Sequence, residues 1–329
     1  MKLHENKELF QDAVIATSQQ MGIREIYVEK DYWVTFALFH IFKNDIGKET
    51  VFKGGTALSK CFGMIQRFSE DIDLVVLRNE NETGNQLKTK IKKISKCVSD
   101  VLPETEIEGI TNKVGMIRKT AHSYQKTFAG HFGQVRDIII LESTWLGNFE
   151  PYTTANVSSF IYEMMLKNNQ QALIDEYGMP PFEVLVLNPK RTLCEKIMSL
   201  VRFSQTQDPI TDLRNKIRHT YDIHLMLKIE KLQSFFRSNE FEAMLLRVAN
   251  DDVTSFKNNN EWLANHPKTA LIFSEPTDTW NKIKDVYTGI FSELVFGALP
   301  AETDVLQTLK TIADRLKPIK WDIKPYPNA

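Results

Sequence analysis

Residues 50–77 read TVFKGGTALSKCFGMIQRFSEDIDLVVL. The apolar pair Val51 and Phe52 predicts a short strand that opens into Lys53-Gly54-Gly55-Thr56, and the residues after it predict a helix. A second strand begins at Asp71 and carries Asp71-Ile72-Asp73 into Leu74-Val75-Val76-Leu77. Successive side chains in a strand alternate faces, so Asp71 and Asp73 share one side and Ile72 and Leu74 the other. Two carboxylates on one face at a strand mouth repel each other unless a cation sits between them. So few oxygen ligands suit Mg²⁺, which keeps waters and completes its shell from substrate phosphates.

The glycine pair supplies the other half of the pattern. Without a Cβ, Gly54 and Gly55 can turn tightly and let backbone approach a ligand. The free N–H groups opening the next helix favour an anion. A phosphate cradle beside a metal-binding acid pair is the minimum apparatus for handling a nucleotide. Ser69 stands two residues before Asp71 and shares its face in an extended chain. Its hydroxyl is placed to bond a phosphate or brace the carboxylate, or it is an ordinary turn residue. Arg67 either neutralises phosphate charge or pairs with Glu70.

A Gly-Gly turn, a helix and Asp-x-Asp on a strand resemble the DNA polymerase β-like nucleotidyltransferase superfamily. The fuller string, FKGGTALSK followed by RFSEDIDL, resembles more narrowly the AbiEii/AbiGii toxin family, the nucleotidyltransferase halves of abortive-infection toxin–antitoxin pairs. The longer gap between Gly55 and Asp71 matches the toxin branch. The resemblance implies an α+β fold with two lobes. Residues 1–150 would form a nucleotidyltransferase lobe with a small mixed sheet flanked by helices. Residues 151–329 would form a mainly helical lobe, with the active site in the cleft. It implies Asp71 and Asp73 as catalytic metal ligands, with one or two Mg²⁺, and Lys53, Gly54, Gly55, Thr56 and Ser69 as nucleotide-binding residues. It further implies transfer of nucleotides from an NTP to RNA, with the tRNA 3′ end as acceptor, a block of translation in phage defence, and a cognate antitoxin protein as partner. Two alternatives stand beside this: a nucleotidyltransferase that modifies a protein or small molecule, and a catalytically silent nucleotide- or RNA-binding module.

The chain of 329 residues is long for one core. Its formal net charge of −1 makes it no general magnet for nucleic acid, so RNA binding needs a local basic face. Over residues 86–126, nine lysines and arginines stand against four acids. That surplus is either a solvated helix face or a phosphate-tracking surface. Cys61, Cys97 and Cys194 have no paired spacing, so neither a disulfide framework nor a zinc site is expected. No signal-peptide core and no apolar run of about 20 residues is present, so a cytoplasmic protein with no membrane segment is expected.

Residues 25–42 predict a helix with apolar positions around much of its circumference, buried on more than one side. Its EKDYWV segment also resembles the toxin family. Glu29, Lys30 and Asp31 on it either line the nucleotide site or are surface charges at the edge of a buried stripe. The first helix, near the N-terminus, shows a weaker stripe of Leu9, Ala13, Ala16 and Thr17. Residues 134–144, QVRDIIILEST, predict a third strand of the same sheet. The superfamily often carries a third carboxylate there, for which Glu142 is the first candidate and Asp137 the second.

In the second half, Asn188-Pro189 predicts a helix start, through a cap and a pre-set φ. Leu193, Ile197, Leu200 and Val201 form its buried stripe, with Lys196 at the edge, where it either snorkels to water or faces a polar cleft. Asp222 lies off the stripe of its own helix, where pairing with Arg218 one turn earlier is the ordinary reading. The family carries a lysine in a T-x-x-E-K-I helix and an aspartate in an R-x-x-Y-D-like helix. The resemblance therefore makes Lys196 and Asp222 catalytic positions.

Overall fold

The computed structural model describes residues 1–130, 135–147, 149–256 and 259–325. Two compact units divide the chain, Met1–Leu187 and Asn188–Ala329.

The first unit opens with α1 (Lys7–Met21) and α2 (Glu25–Phe42), then β1 (Thr50–Lys53), α3 (Gly54–Lys60) and β2 (Ile72–Val76). There follow α4 (Gly84–Ser99), β3 (Glu104–Thr105), β4 (Ile117–His122), β5 (Ile139–Thr144) and β6 (Tyr152–Val157). The unit closes with α5 (Phe160–Lys167), α6 (Gln171–Glu176) and β7 (Phe182–Leu187). The strands form one mixed sheet in the order β3-β4-β5-β2-β1-β7-β6. β1 and β2 are antiparallel, whereas β2 with β5 and β1 with β7 are parallel. The expected third strand is therefore β5, beside β2; the first residue of that expected run, Gln134, lies outside the described residues. The division between units falls at 187/188 and not near residue 150. In the polar stretch after Pro151, β6 pairs along its length with β7, and β7 pairs with β1.

The alternation expected of β2 sets the two faces of the sheet. Ile72 and Leu74 are fully buried, as are Phe52 on β1 and Leu141 on β5, in register with Ile72. Each such side chain contributes about 1.5–3 kcal/mol by leaving water. Helices α2 and α4 pack on this face: the Ser143 hydroxyl, one pleat along from Leu141, reaches the Ile91 carbonyl of α4 at 3.4 Å. The opposite face carries Lys53 and Asp73, and one pleat further along it becomes apolar, with Val51, Val75 and Leu187 packed together.

Helix α2 is more deeply buried than its pattern implies, packing against α1, α4, α5, β5 and β7. Every residue from 26 to 38 is buried, the three consecutive charges Glu29, Lys30 and Asp31 included. On α1 the buried positions are Phe10, Ala13, Val14, Thr17 and Ser18, while Ala16 is exposed, so the stripe is rotated from the one expected.

In its described residues the second unit has helices and no strand. It comprises α7 (Pro189–Phe203), α8 (Pro209–Asn215), α9 (Ile217–Lys228), α10 (Glu230–Arg237), α11 (Asn239–Ser255), α12 (Leu271–Ser274), α13 (Pro276–Thr288) and α14 (Glu302–Leu316). Helix α7 begins as expected: the Asn188 side chain accepts from the Lys190 N–H at 2.9 Å, and Pro189 occupies the first turn. Its stripe of Leu193, Ile197, Leu200 and Val201 is buried against α9 and α11. Among the described residues no helix is long and apolar enough to cross a membrane.

Candidate active site

Four charged side chains form a row across the open face of the sheet. Lys53 on β1 is in register with Asp73 on β2, Asp73 with Glu142 on β5, and Glu142 with Lys119 on β4. Residues in register project to the same side, so the row alternates cation, anion, anion, cation. Lys119 meets Glu142 at 3.4 Å. Asp71 lies one residue before β2 and acts on Asp73 as a like charge. Partial burial first, then the neighbouring Asp71 and Glu142, push the Asp73 carboxyl up to about 7. A carboxylate so disfavoured as an anion is one that a cation would relieve.

The two glycines are spatial requirements of this arrangement. Gly54 has φ +82°, and a Cβ on it would stand 2.3 Å from Asp73 Oδ2. The missing methyl is the space the carboxylate uses. A Cβ on Gly55 would stand 2.7 Å from Arg67 Nη2 and 3.0 Å from Ser69 Oγ. Arg67 is itself buried, and its Nη1 donates to the Phe68 carbonyl at 3.1 Å. Gly54→Ala is therefore expected to cost about 1–2 kcal/mol in backbone strain alone, and more through displacement of Asp73. A thermal melt lowered by several degrees, together with weaker metal binding, is the expected result; an unchanged melt would show that the turn can relax.

Thr56 and Ser69 lie behind the acid pair. The buried Thr56 hydroxyl donates to the Asp71 carbonyl at 2.6 Å and lies 3.0 Å from Ser69 Oγ. Thr56 thus braces the backbone of Asp71 with the side chain expected to hold phosphate, and Ser69 remains half-buried next to Gly55. Asp71 Oδ1 is a buried oxygen with no hydrogen-bond partner among the described residues, with Arg136 Nη1 at 3.8 Å.

Whether these residues fit Mg²⁺ turns on the donor set. Asp71 and Asp73 present carboxylate oxygens, one of them an orphan, and Gly54 leaves the space open; hard oxygen donors of this kind suit Mg²⁺. Among the described residues no group of three or more His, Cys, Asp and Glu is gathered to hold a metal. Asp71 and Asp73 would therefore hold it as a pair, with Glu142 engaged by Lys119. Asp137, the other third-acid candidate, is exposed and pairs with Lys126 instead.

Glu29, Lys30 and Asp31 are neither surface charges nor open to a nucleotide. Glu29 accepts from the Thr127 and Phe128 N–H groups at 2.6 and 3.1 Å. Lys30 pairs with Glu70; burial pushes the ammonium down and the Glu70 carboxyl up, while each partner opposes the other's shift. Asp31 pairs with Lys60 at 2.6 Å and accepts from the Phe160 N–H at 2.8 Å. Glu70 is thus taken by Lys30, not by Arg67.

In the second unit, Lys196 and Asp222 come together. Lys196 Nζ donates to Asp222 Oδ2 at 2.7 Å, with the side chains 7% and 0% exposed. Lys196 neither snorkels nor stands at a stripe edge; it is a buried ammonium. His219, which the sequence reading passed over, has Nδ1 3.4 Å from Lys196 Nζ. Burial first, and then Lys196, hold its imidazole well below its ordinary pKa, so it is neutral and accepts from the ammonium. Its place one turn before Asp222 on α9 is the signal that could have found it.

A family model described as "Nucleotidyl transferase AbiEii toxin, Type IV TA system" matches residues 37–304. Among solved structures the chain is similar to MenT4, a nucleotidyltransferase toxin from Mycobacterium tuberculosis H37Rv. The two share 14% identity with a TM-score of 0.46, over 93% of this chain and 99% of that one. No curated protein matches the chain.

Proposed function

The chain belongs to the AbiEii nucleotidyltransferase toxin family of type IV toxin–antitoxin systems, and on that premise we propose that it moves a nucleotidyl group from an NTP to an RNA 3′ end in a Mg²⁺-dependent reaction. The acceptor in this reading is tRNA, the partner an antitoxin protein encoded nearby, and the consequence a block of translation that limits phage. The observation that supports it is the acid pair Asp71 and Asp73 set against a glycine whose Cβ would overlap the Asp73 carboxylate.

In the reaction the acceptor 3′-oxygen bonds to the α-phosphorus, the α–β phosphoanhydride breaks, pyrophosphate leaves, and the hydroxyl proton passes to solvent water. Asp71 and Asp73 would hold Mg²⁺, which would supply positive charge to the reacting groups. Lys53, on the same face as Asp73, offers its ammonium to phosphate oxygens. By the family resemblance Lys196 is a catalytic position, whose ammonium would supply charge to the reaction. Asp222, fully buried and already accepting from Lys196, is better suited to holding that ammonium than to taking a proton from an acceptor. Incubating cell extract and purified tRNA with each labelled NTP tests the reading. Label in tRNA supports it, label in protein or small molecules transfers the chemistry to another acceptor, and no label with any NTP leaves a silent binding module.

The basic stretch carries less free charge than its composition implies. Lys90 pairs with Glu49 and Glu82, Lys96 with Asp100, Lys113 with Glu104 and Glu106, and Lys126 with Asp137. Lys88, Lys92 and Lys93 are exposed on α4 and have no ion pair among the described residues. If α4 tracks RNA phosphates, tRNA affinity should fall on a log–log salt plot by about 0.7–0.9 per phosphate contacted. Replacing Lys88, Lys92 and Lys93 by Gln should flatten that slope by about two to three units. An unchanged slope would return α4 to solvated surface.

A further inference from the structure

We propose that Arg136 binds the polyphosphate of the donor nucleotide, and that the buried Lys30–Glu70 pair is the device that holds it beside the acid pair. This rests on the nucleotidyltransferase reading above, and it concerns residues that the glycine turn and Asp-x-Asp motif do not include. Arg136 stands with Nη1 3.8 Å from Asp71 Oδ1, its side chain 47% exposed. That separation is too long for a hydrogen bond. Among the described residues the guanidinium makes no hydrogen bond at all, so its donors are uncommitted.

The backbone of Arg136, by contrast, is gripped at both ends. Its N–H donates to Glu70 Oε1 at 3.1 Å, and its carbonyl accepts from Lys30 Nζ. Lys30 and Glu70 pair with each other at 0% and 5% exposure. One ammonium–carboxylate pair therefore fixes a single residue from both sides. Glu70 is also the residue immediately before Asp71, so the same pair sets the distance between guanidinium and metal-binding carboxylate.

Stability is a poor reason for this arrangement. Burying two charges costs desolvation, and apolar side chains of similar volume commonly fold as well or better in their place. What the pair achieves that apolar residues could not is a directed grip on two backbone groups of one residue. The guanidinium so held is a planar fork of five donors, suited to bidentate contact with phosphate oxygens. Beside Asp71, a residue that would hold the cation, the phosphates to be met would be those of the donor nucleotide.

The test measures NTP kinetics, tRNA affinity, inorganic triphosphate binding with Mg²⁺ by calorimetry, and thermal melts. Arg136→Ala should raise KM for NTP and weaken triphosphate binding by about tenfold or more, with an unchanged melt. Arg136→Lys should recover little of either, because a point charge lacks the fork. Lys30→Met should shift KM in the same direction and also lower the melt. Lys30→Met combined with Glu70→Met should regain the melt but not the KM, which a purely structural pair would regain with it. Wild-type triphosphate affinity and KM in Arg136→Ala would overturn the assignment; loss of tRNA affinity alone would make Arg136 an acceptor contact instead. Wild-type KM in the double variant would remove the positioning role. If the wild type transfers nothing from any NTP yet binds triphosphate in an Arg136-dependent way, the functional reading fails and this inference stands.

Discussion

Asp71→Ala and Asp73→Ala should each lower nucleotide transfer by at least about a hundredfold while leaving the fold intact. Asp71, at the entry to β2, acts on Asp73 as a like charge. Neither holds the fold together. Asp73 is disfavoured as an anion by burial, by Asp71 and by Glu142, so removing either member of the pair relieves repulsion. In the absence of metal both variants should therefore melt at or slightly above the wild-type temperature. Added Mg²⁺ should raise the wild-type melt, since a ligand that binds only the native state stabilises it by mass action, and should leave both variants unmoved. Transfer retained at a tenth of wild type or more in both variants would remove the pair from the mechanism. A Mg²⁺-dependent melt in Asp73→Ala equal to wild type would place the metal elsewhere.

What could be read from the sequence, and what could not, follows the range of the interaction involved. The alternation of Asp71-Ile72-Asp73-Leu74 is local, and it correctly separated the buried face of β2 from the charged one. The cap and proline that start α7 are local as well. Glu29, Lys30 and Asp31 were illegible because nothing near them in sequence reveals their partners. Glu29 binds N–H groups 98 and 99 residues away, Lys30 an acid 40 residues away, and Asp31 a lysine 29 residues away. A helix that buries three successive charges breaks the amphipathic rule, and only the tertiary partners make the exception affordable. The division between units moved for a related reason. Parallel pairing of β7 with β1 joins strands separated by more than a hundred residues, which composition around residue 150 could not announce. The row from Lys53 to Lys119 likewise depends on register across four strands.

Lys196→Ala should combine two losses that a surface lysine would not show. Asp222 is fully buried, and removing the ammonium 2.7 Å from it takes a close counter-charge from a carboxylate in the core of the second unit. Breaking a buried pair from one side costs about 3–5 kcal/mol, a fall in melting temperature on the order of ten degrees. Transfer should fall as well, by about two orders of magnitude, if the ammonium neutralises charge in the transition state. The single variant cannot separate these effects, because a partly unfolded enzyme also transfers less. Lys196→Met combined with Asp222→Leu can. Replacing both charges by apolar side chains of similar size removes the buried carboxylate and should return the melt to near wild type. The neutral His219 loses its donor at 3.4 Å in that variant. If Lys196 serves the reaction, this stable double variant should remain as inactive as the single one. If the pair is only an internal pin joining α7 to α9, recovery of the melt should carry recovery of transfer with it. A double variant with wild-type melt and wild-type turnover would sink the catalytic assignment of both residues.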